Sequence, residues 1–304
     1  MSVPDGTVHL EPQRMDESDA VFKKFRWTTD ADWMPILARS VKEGEIDGIR
    51  MPTFPDEETQ TLMHGDANEQ SLRGAFNFYG EIKAYAGVCE RTVEPHRRLL
   101  DFGCGWGRMV RPFMKDIHAR NLFGAEPHHE RIVLARRHNP NLQFIQCGYL
   151  PPLPLVDNLL DYVIAFSVFS HLDEYSCNRW IDEFYRVLAP GGLVLVTTQR
   201  LDFVDFCEAL RARKRAGETL THPWHLSLVE AFKDVDEVKA AYQRGSFLFA
   251  GAAGSLPRPN SRYSETIISP SYVRRAWGQK YHVIDFMDDP KRLGQALIVM
   301  QKPS

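Results

Sequence analysis

The chain has 304 residues, 43% hydrophobic and 25% charged, and this composition excludes a wholly disordered protein. Its formal net charge of -3 argues against a protein whose main task is to grip nucleic-acid phosphates. No apolar run approaches the ~20 residues of a membrane span, and the N-terminus lacks a secretory pattern. Five scattered cysteines without a Cys-x-x-Cys pair indicate reduced thiols. We therefore expect a cytoplasmic protein that contacts neither nucleic acid nor membrane.

The first part of the chain predicts a helical extension over residues 1–95. It is polar and mixed, and Pro52 and Pro55 interrupt it. From about residue 68 to residue 90, apolar residues recur at the spacing of an amphipathic helix. We expect this helix to lead into a core domain over residues 96–304.

The core domain shows apolar runs that alternate with helical patterns. Strands are predicted from Leu99 and over 122–125, 142–146, 161–167 and 193–198. Helices are predicted over 109–117, 130–138 and 175–188, the last closed by the Pro-Gly-Gly at 190–192. This alternation specifies a doubly wound α/β sheet.

The pattern loosens after the fifth strand. We predict a helix over residues 200–215 and irregular chain over 216–270. Two final strands, over 281–287 and 295–300, are separated by a seven-residue link. Because that link is too short for a crossover helix, the two strands must pair antiparallel.

The sharpest signal is the run Asp-Phe-Gly-Cys-Gly-Trp-Gly at residues 101–107. Its glycines permit a tight turn and close backbone approach to a ligand, and a following helix would add unpaired N–H groups. Glu126 ends the next strand, roughly 20–25 residues on, where a carboxylate can accept both hydroxyls of a ribose. The dinucleotide fingerprint would require a glycine at the position of Arg108.

With this turn, the chain resembles the class I S-adenosylmethionine-dependent methyltransferases over about residues 97–300. The motifs that carry the resemblance are the glycine run, Ala-Glu-Pro at 125–127, the strand 161–167, Leu-Ala-Pro-Gly-Gly at 188–192 and the terminal hairpin. It implies a seven-stranded, mostly parallel sheet with a terminal antiparallel hairpin, to which the helical extension and an inserted lid are added. It also implies S-adenosylmethionine as cofactor.

The resemblance further implies where the cofactor would bind. Asp101 would orient the loop or the cofactor amino group, Glu126 would hold the ribose diol, and Ser167 would lie beneath the sulfonium. Many family members carry an Asp after the third strand; here Cys147 and Gly148 stand nearby and would hold adenine through backbone groups. The full set implied is Asp101, Gly103, Cys104, Gly105, Gly107, Glu126, Pro127, Cys147, Gly148, Phe166 and Ser167.

His171 is the candidate catalytic base. Ligands of such sheets bind beyond the carboxyl ends of the strands, and His171 follows the fourth strand. A neutral hydroxyl is a poor nucleophile, and an imidazole is suited to take its proton. The alternative is that His171 packs against or caps the next helix. The stretch 167–169 lacks the motifs of methyltransferases that act on nucleic-acid bases.

An insertion at about 216–280 is expected to form the acceptor pocket. Within it, Ser-Pro-x-Tyr-Val-x-x-x-Trp at 269–277 resembles bacterial methyltransferases of cell-surface glycan and other small-metabolite pathways. Trp224 would stack on a sugar face, while Tyr263, Glu265 and Tyr272 would hydrogen-bond a polyol. The alternative is a lid that packs on its own aromatic side chains. No metal site is expected, because two nearby histidines lack a carboxylate partner.

Three functions remain open at this point. The first is O-methylation of a small hydroxylated acceptor such as a sugar. The second is N-methylation of a small amine or amino-acid-derived metabolite, which would need more carboxylates or aromatic side chains around the acceptor. The third is a non-catalytic binding protein that retains the fold. The sequence does not indicate an oligomeric state.

Overall fold

The computed structural model describes residues 19–251 and 262–304, and the chain falls into two compact units. The first unit holds the described residues up to Ile164, with residues 186–193 and Ser304. The second holds residues 165–185 and the described part of 194–303. The division at residues 95 and 96 remains a prediction.

The first unit begins with helices and a small hairpin. These elements are α1 (Ala20–Phe25), α2 (Asp30–Arg39), β1 (Glu45–Ile46), β2 (Ile49–Arg50), α3 (Glu57–His64) and α4 (Asn68–Val88). Helix α4 confirms the predicted amphipathic helix, because Leu72, Ala75, Ile82 and Ala86 are all buried along one face.

Parallel strands follow in the first unit. They are β3 (Leu99–Phe102), β4 (Leu122–Glu126), β5 (Gln143–Gln146) and β6 (Leu160–Ala165), with α5 (His129–His138) between β4 and β5. Strand β3 is central here, since Leu99 pairs with Leu122 on one side and with Tyr162 on the other. The predicted bounds of these strands are confirmed to within two residues, and the largest difference is at β6, which ends at Ala165 instead of Ser167.

The helix predicted over residues 109–117 is wrong. The chain turns through residues 104–110 and then forms only a 3-10 helix, Arg111–Lys115. Pro112 lacks an N–H and therefore suits only the first turn of a helix. Val110, Phe113 and Met114 are all buried, so the segment also lacks the polar face that an amphipathic α-helix presents to solvent.

The remaining elements run from α6 to the C-terminus. They are α6 (Glu174–Val187), β7 (Leu188–Thr198), α7 (Phe203–Arg215), α8 (Pro223–Leu228), α9 (Val235–Gln243), β8 (Phe247–Phe249), β9 (Thr266–Ile268), α10 (Pro270–Ala276), β10 (His282–Met287) and β11 (Ala296–Gln301). The predicted terminal hairpin is confirmed, because β10 pairs antiparallel with β11.

Two sequence predictions in this region are wrong. Residues 216–270 contain α8, α9 and the antiparallel pair β8–β9, so the segment is not irregular where it is described. The Pro-Gly-Gly at 190–192 lies inside β7 and does not precede it. Gly191 adopts a φ of 73°, which glycine reaches without strain, so the strand continues through this point.

The larger sheet has seven strands in the order β10-β11-β7-β6-β3-β4-β5. This is an α/β, Rossmann-like sheet, mostly parallel with antiparallel C-terminal strands, as the resemblance implied. Within the described ranges 19–251 and 262–304, no helix combines the length and apolar character needed to cross a bilayer. The same ranges hold no cluster of three or more metal-ligating side chains.

Candidate functional site

The glycine turn after β3 requires glycine for two reasons. Gly103, Gly105 and Gly107 adopt φ values of 72°, 54° and 84°, which other residues rarely reach. A Cβ at Gly107 would also lie 2.8 Å from Nδ2 of Asn139 and 3.0 Å from Cζ of Phe144. The turn is therefore shaped both by its backbone conformation and by the side chains packed against it.

Backbone N–H groups of the turn already donate hydrogen bonds within the protein. Those of Gly103 and Cys104 donate to the carbonyl of Ala125 at 2.8 and 3.1 Å, and that of Gly107 donates to the carbonyl of Cys104 at 2.8 Å. The next described element is the 3-10 helix Arg111–Lys115, so no α-helix begins at the turn to add free donors. A pyrophosphate needs such donors at a helix N-terminus, so this turn does not suit a dinucleotide.

Glu126, at the end of β4, is 2% exposed and is held by two backbone donors. Its Oε2 accepts from the Gly105 N–H and its Oε1 from the His128 N–H, both at 3.2 Å. Arg131 lies 3.7 Å from Oε1. An ionised carboxylate has about four acceptor positions, so capacity remains for the two hydroxyls of a ribose.

Asp101 is a buried acid in β3. It is 1% exposed, and within the described part of the chain its Oδ2 has no hydrogen-bond partner. Burial raises the pKa of Asp101 to about 7, with Glu126 adding to the rise and Arg108 opposing it. A buried carboxylate with an unused oxygen fits a cationic amino group such as that of S-adenosylmethionine.

Cys147 and Gly148 follow β5. The Cys147 N–H already donates to the carbonyl of Glu126 at 3.2 Å, so it is not available to adenine. Burial raises the pKa of the Cys147 thiol to about 12, which makes it a poor nucleophile. A Cβ at Gly148 would lie 2.9 Å from the carbonyl oxygen of Leu150. The partly buried Pro127 links Glu126 to α5.

In the second unit, Phe166 and Ser167 lie just beyond the end of β6 and are partly buried. Ser167 has a φ of 57°, which is strained for a serine. The side-chain oxygen of Thr197 accepts from the Ser167 N–H at 2.8 Å and donates to Gln295 at 2.6 Å. Gln295 in turn donates to Oγ of Ser167 at 3.1 Å. This closed ring of hydrogen bonds holds the strained residue in place.

His171 has a defined ring orientation. Its Nδ1 lies 3.1 Å from the carbonyl oxygen of Ser264, and its ring stacks on Tyr263 with centroids 5.0 Å apart. A carbonyl can only accept, so Nδ1 carries the proton and Nε2 carries the lone pair when the ring is neutral. The side chain is 18% exposed. His171 is therefore held in the tautomer that a general base needs.

Glu265 contacts two other predicted residues, His171 and Trp224. Its Oε1 lies 3.6 Å from Nδ1 of His171 and accepts from the Trp224 indole N–H at 2.8 Å. Its Oε2 accepts from the side-chain amide of Gln199 at 2.9 Å. Both carboxylate oxygens are thus engaged, and Trp224 also stacks against Phe203 of α7.

Tyr272 belongs to a different cluster. It is 5% exposed, its hydroxyl lies 3.0 Å from Nδ2 of Asn178, and its ring packs edge-on against Phe247. Nearby is a cleft of about 640 Å³. Its lining, which we call the acidic aromatic cleft, consists of Asp173, Glu174, Tyr175, Asn178, Phe247 and Phe249.

Comparison with known proteins identifies the fold's family. Residues 99–192 match the family model described as a methyltransferase domain. The chain contains a class I S-adenosylmethionine-dependent methyltransferase domain. That match covers β3 to the Pro-Gly-Gly in β7, and so includes the glycine turn, Glu126 and His171.

Relatives of this methyltransferase domain are similar over part of their length. A Mycolicibacterium smegmatis protein named "Probable S-adenosylmethionine-dependent methyltransferase" is 34% identical over 34% of this chain and 38% of its own. A phthiotriol/phenolphthiotriol dimycocerosates methyltransferase of Mycobacterium ulcerans is 25% identical over 55% and 59%. A ubiquinone biosynthesis O-methyltransferase of Nitrobacter winogradskyi is 23% identical over 53% and 60%. The chain thus spans between 38% and 60% of the length of these relatives.

Solved structures are more distant. Magnesium protoporphyrin IX methyltransferase from Synechocystis PCC 6803, with bound SAH, is 10% identical with a TM-score of 0.48. That similarity covers 81% of this chain and 93% of the other.

Several site residues of the methyltransferase domain and its additions carry no signal in the sequence. Asn139 donates to the carbonyl of Trp106 at 2.8 Å and secures the glycine turn, but its Asn-Pro context indicates only a helix end. Gln199 and Gln295 are ordinary polar residues until the fold brings them to Glu265 and Ser167.

Proposed function

We propose that this protein transfers a methyl group from S-adenosylmethionine to a hydroxyl group of a small molecule. The cofactor, when bound, supplies an electrophilic methyl group on a positively charged sulfur. Asp101 would accept from its amino group and Glu126 would bind its ribose. The unused Oδ2 of buried Asp101 is the observation that supports this cofactor most strongly.

The choice of a hydroxyl acceptor rests on His171. Its protonated Nδ1 faces the carbonyl of Ser264, which leaves Nε2 to take the acceptor's proton. Among the described residues, no hydrogen bond occupies Nε2. The relative from N. winogradskyi is named as an O-methyltransferase, which agrees with this choice.

The experiment is a methyl-transfer assay with hydroxylated and amine acceptors, in which S-adenosylhomocysteine formation is followed. The His171→Asn variant should lower kcat about 100-fold or more and leave cofactor affinity unchanged. His282→Asn, which changes an exposed histidine of β10, is the matched control and should leave kcat and cofactor affinity unchanged. Unchanged turnover in His171→Asn would remove the base role.

A second candidate is N-methylation of a small amine, and the acidic aromatic cleft favours it. Glu174 would attract a cation, and Phe247 and Phe249 offer aromatic surface. An amine needs less help from a base. If this candidate holds, Glu174→Gln should raise KM for the amine, whereas His171→Asn should retain most of the turnover.

A further inference from the structure

We infer that Glu265 is a positioning residue for His171: it orients the imidazole and stabilises its positive charge as the ring takes a proton. This inference rests on the proposed function, because it gives His171 the role of base. It also reassigns Glu265, which the sequence indicates as an acceptor ligand, to the support of the catalytic side chain.

The geometry indicates an electrostatic interaction. The 3.6 Å between Oε1 of Glu265 and Nδ1 of His171 is too long for a good hydrogen bond but short for two charges in a buried site. The hydrogen bond from Nδ1 goes to the carbonyl of Ser264, the residue before Glu265. One short segment therefore supplies both the hydrogen-bond acceptor and the negative charge.

The carboxylate is held by neutral groups. Trp224 donates to one oxygen of Glu265 and Gln199 to the other, at 2.8 and 2.9 Å. Within the described part of the chain, His171 is the only basic side chain within ion-pair distance of Glu265. A carboxylate that is 8% exposed and lacks a counter-charge is stabilised when the neighbouring imidazole becomes positive.

Other titratable groups around the pair do not replace this interaction. Tyr263 stacks on the His171 ring. Cys207 on α7 faces Glu265, and burial, with Glu265 adding to the effect, raises the pKa of its thiol to about 12. Asp173, two residues beyond His171, is paired with Arg262 at 3.2 Å. Glu265 is therefore the unneutralised charge beside the ring.

The test uses Glu265→Gln in the full chain. Glutamine keeps the shape and an acceptor for Trp224 but removes the charge. We expect kcat to fall about 30-fold with KM changed less than about twofold. Glu183→Gln, which changes another buried glutamate of the second unit, is the matched control and should leave kcat unchanged.

A second measurement does not require methyl transfer. The ring nitrogens of His171, followed by ¹⁵N NMR in cofactor-free protein, should report the Nδ1–H tautomer in the wild type and a larger share of the Nε2–H tautomer in Glu265→Gln. If the tautomer populations change but no acceptor is methylated, the proposed function fails and the interaction stands. Unchanged tautomer populations, or an unchanged kcat in an active enzyme, would overturn the inference.

Discussion

The Gly105 N–H donates to the Glu126 carboxylate at 3.2 Å, which joins the glycine turn after β3 to the acid that ends β4. The two strands are parallel neighbours, with Asp101 opposite Gly124. Their carboxyl ends therefore lie at the same sheet edge, and the acid and the turn are fixed relative to each other before any ligand binds. Such preorganisation reduces the entropy lost on binding.

Substitution by alanine tests whether the turn after β3 requires glycine at position 107. Gly107→Ala should destabilise the protein by about 3 kcal/mol, because a Cβ would meet Asn139 and Phe144 in addition to the cost of a positive φ. Gly217→Ala is the matched control, since Gly217 has a φ of 87° but no atom within 4 Å of a built Cβ. It should cost only about 1 kcal/mol. Equal losses, measured by urea unfolding, would show that packing at Gly107 is unimportant.

Asp101 should make stability depend on pH. Its pKa rises from the ordinary 3.8 to about 7 on folding, so ionisation favours the unfolded chain as pH rises through this window. Asp101→Asn should therefore be more stable than the wild type at pH 8, by about 2–4 kcal/mol, and nearly equal to it below pH 4. Urea unfolding at both pH values checks this. A difference that does not change with pH would contradict the burial of an ionising Asp101.

The raised pKa of Asp101 predicts that cofactor binding is accompanied by the release of a proton. Near pH 7, Asp101 is partly protonated, and a cationic amino group bound beside it would expel that proton. The calorimetric enthalpy of S-adenosylmethionine binding should then vary with the ionisation heat of the buffer. In Asp101→Asn the buffer dependence should disappear and the affinity should fall. A buffer-independent enthalpy in the wild type would place the amino group elsewhere.

The contribution of the hydrogen bonds around Ser167 to stability can also be tested. Thr197→Val keeps the shape of a fully buried side chain but removes the acceptor for the Ser167 N–H and the donor to Gln295. It should cost about 2 kcal/mol in the free energy of unfolding. Thr221→Val, at an exposed threonine, should cost little. Equal stability of the two variants would show that the ring does not hold Ser167.

The sequence predicts the sheet well because buried parallel strands are nearly continuous apolar runs. It predicts Glu126 and the glycines because a tight turn and a strand end have local signatures. The sequence prediction fails at residues 109–117. This segment is buried on all sides and so lacks the polar face of an amphipathic helix, and Pro112 is compatible only with the first turn of a helix. The sequence does not indicate the contacts of Glu265, because Gln199 and His171 are remote in the chain and meet Glu265 only through tertiary packing.

Calorimetric titration with S-adenosylmethionine tests the central claim most directly. We predict one molecule bound per chain in the wild type, an affinity at least about 100-fold weaker in Glu126→Ala, and no binding of a nicotinamide dinucleotide. The account would be contradicted by a wild-type chain that does not bind S-adenosylmethionine, or by a Glu126→Ala variant that binds it as tightly as the wild type.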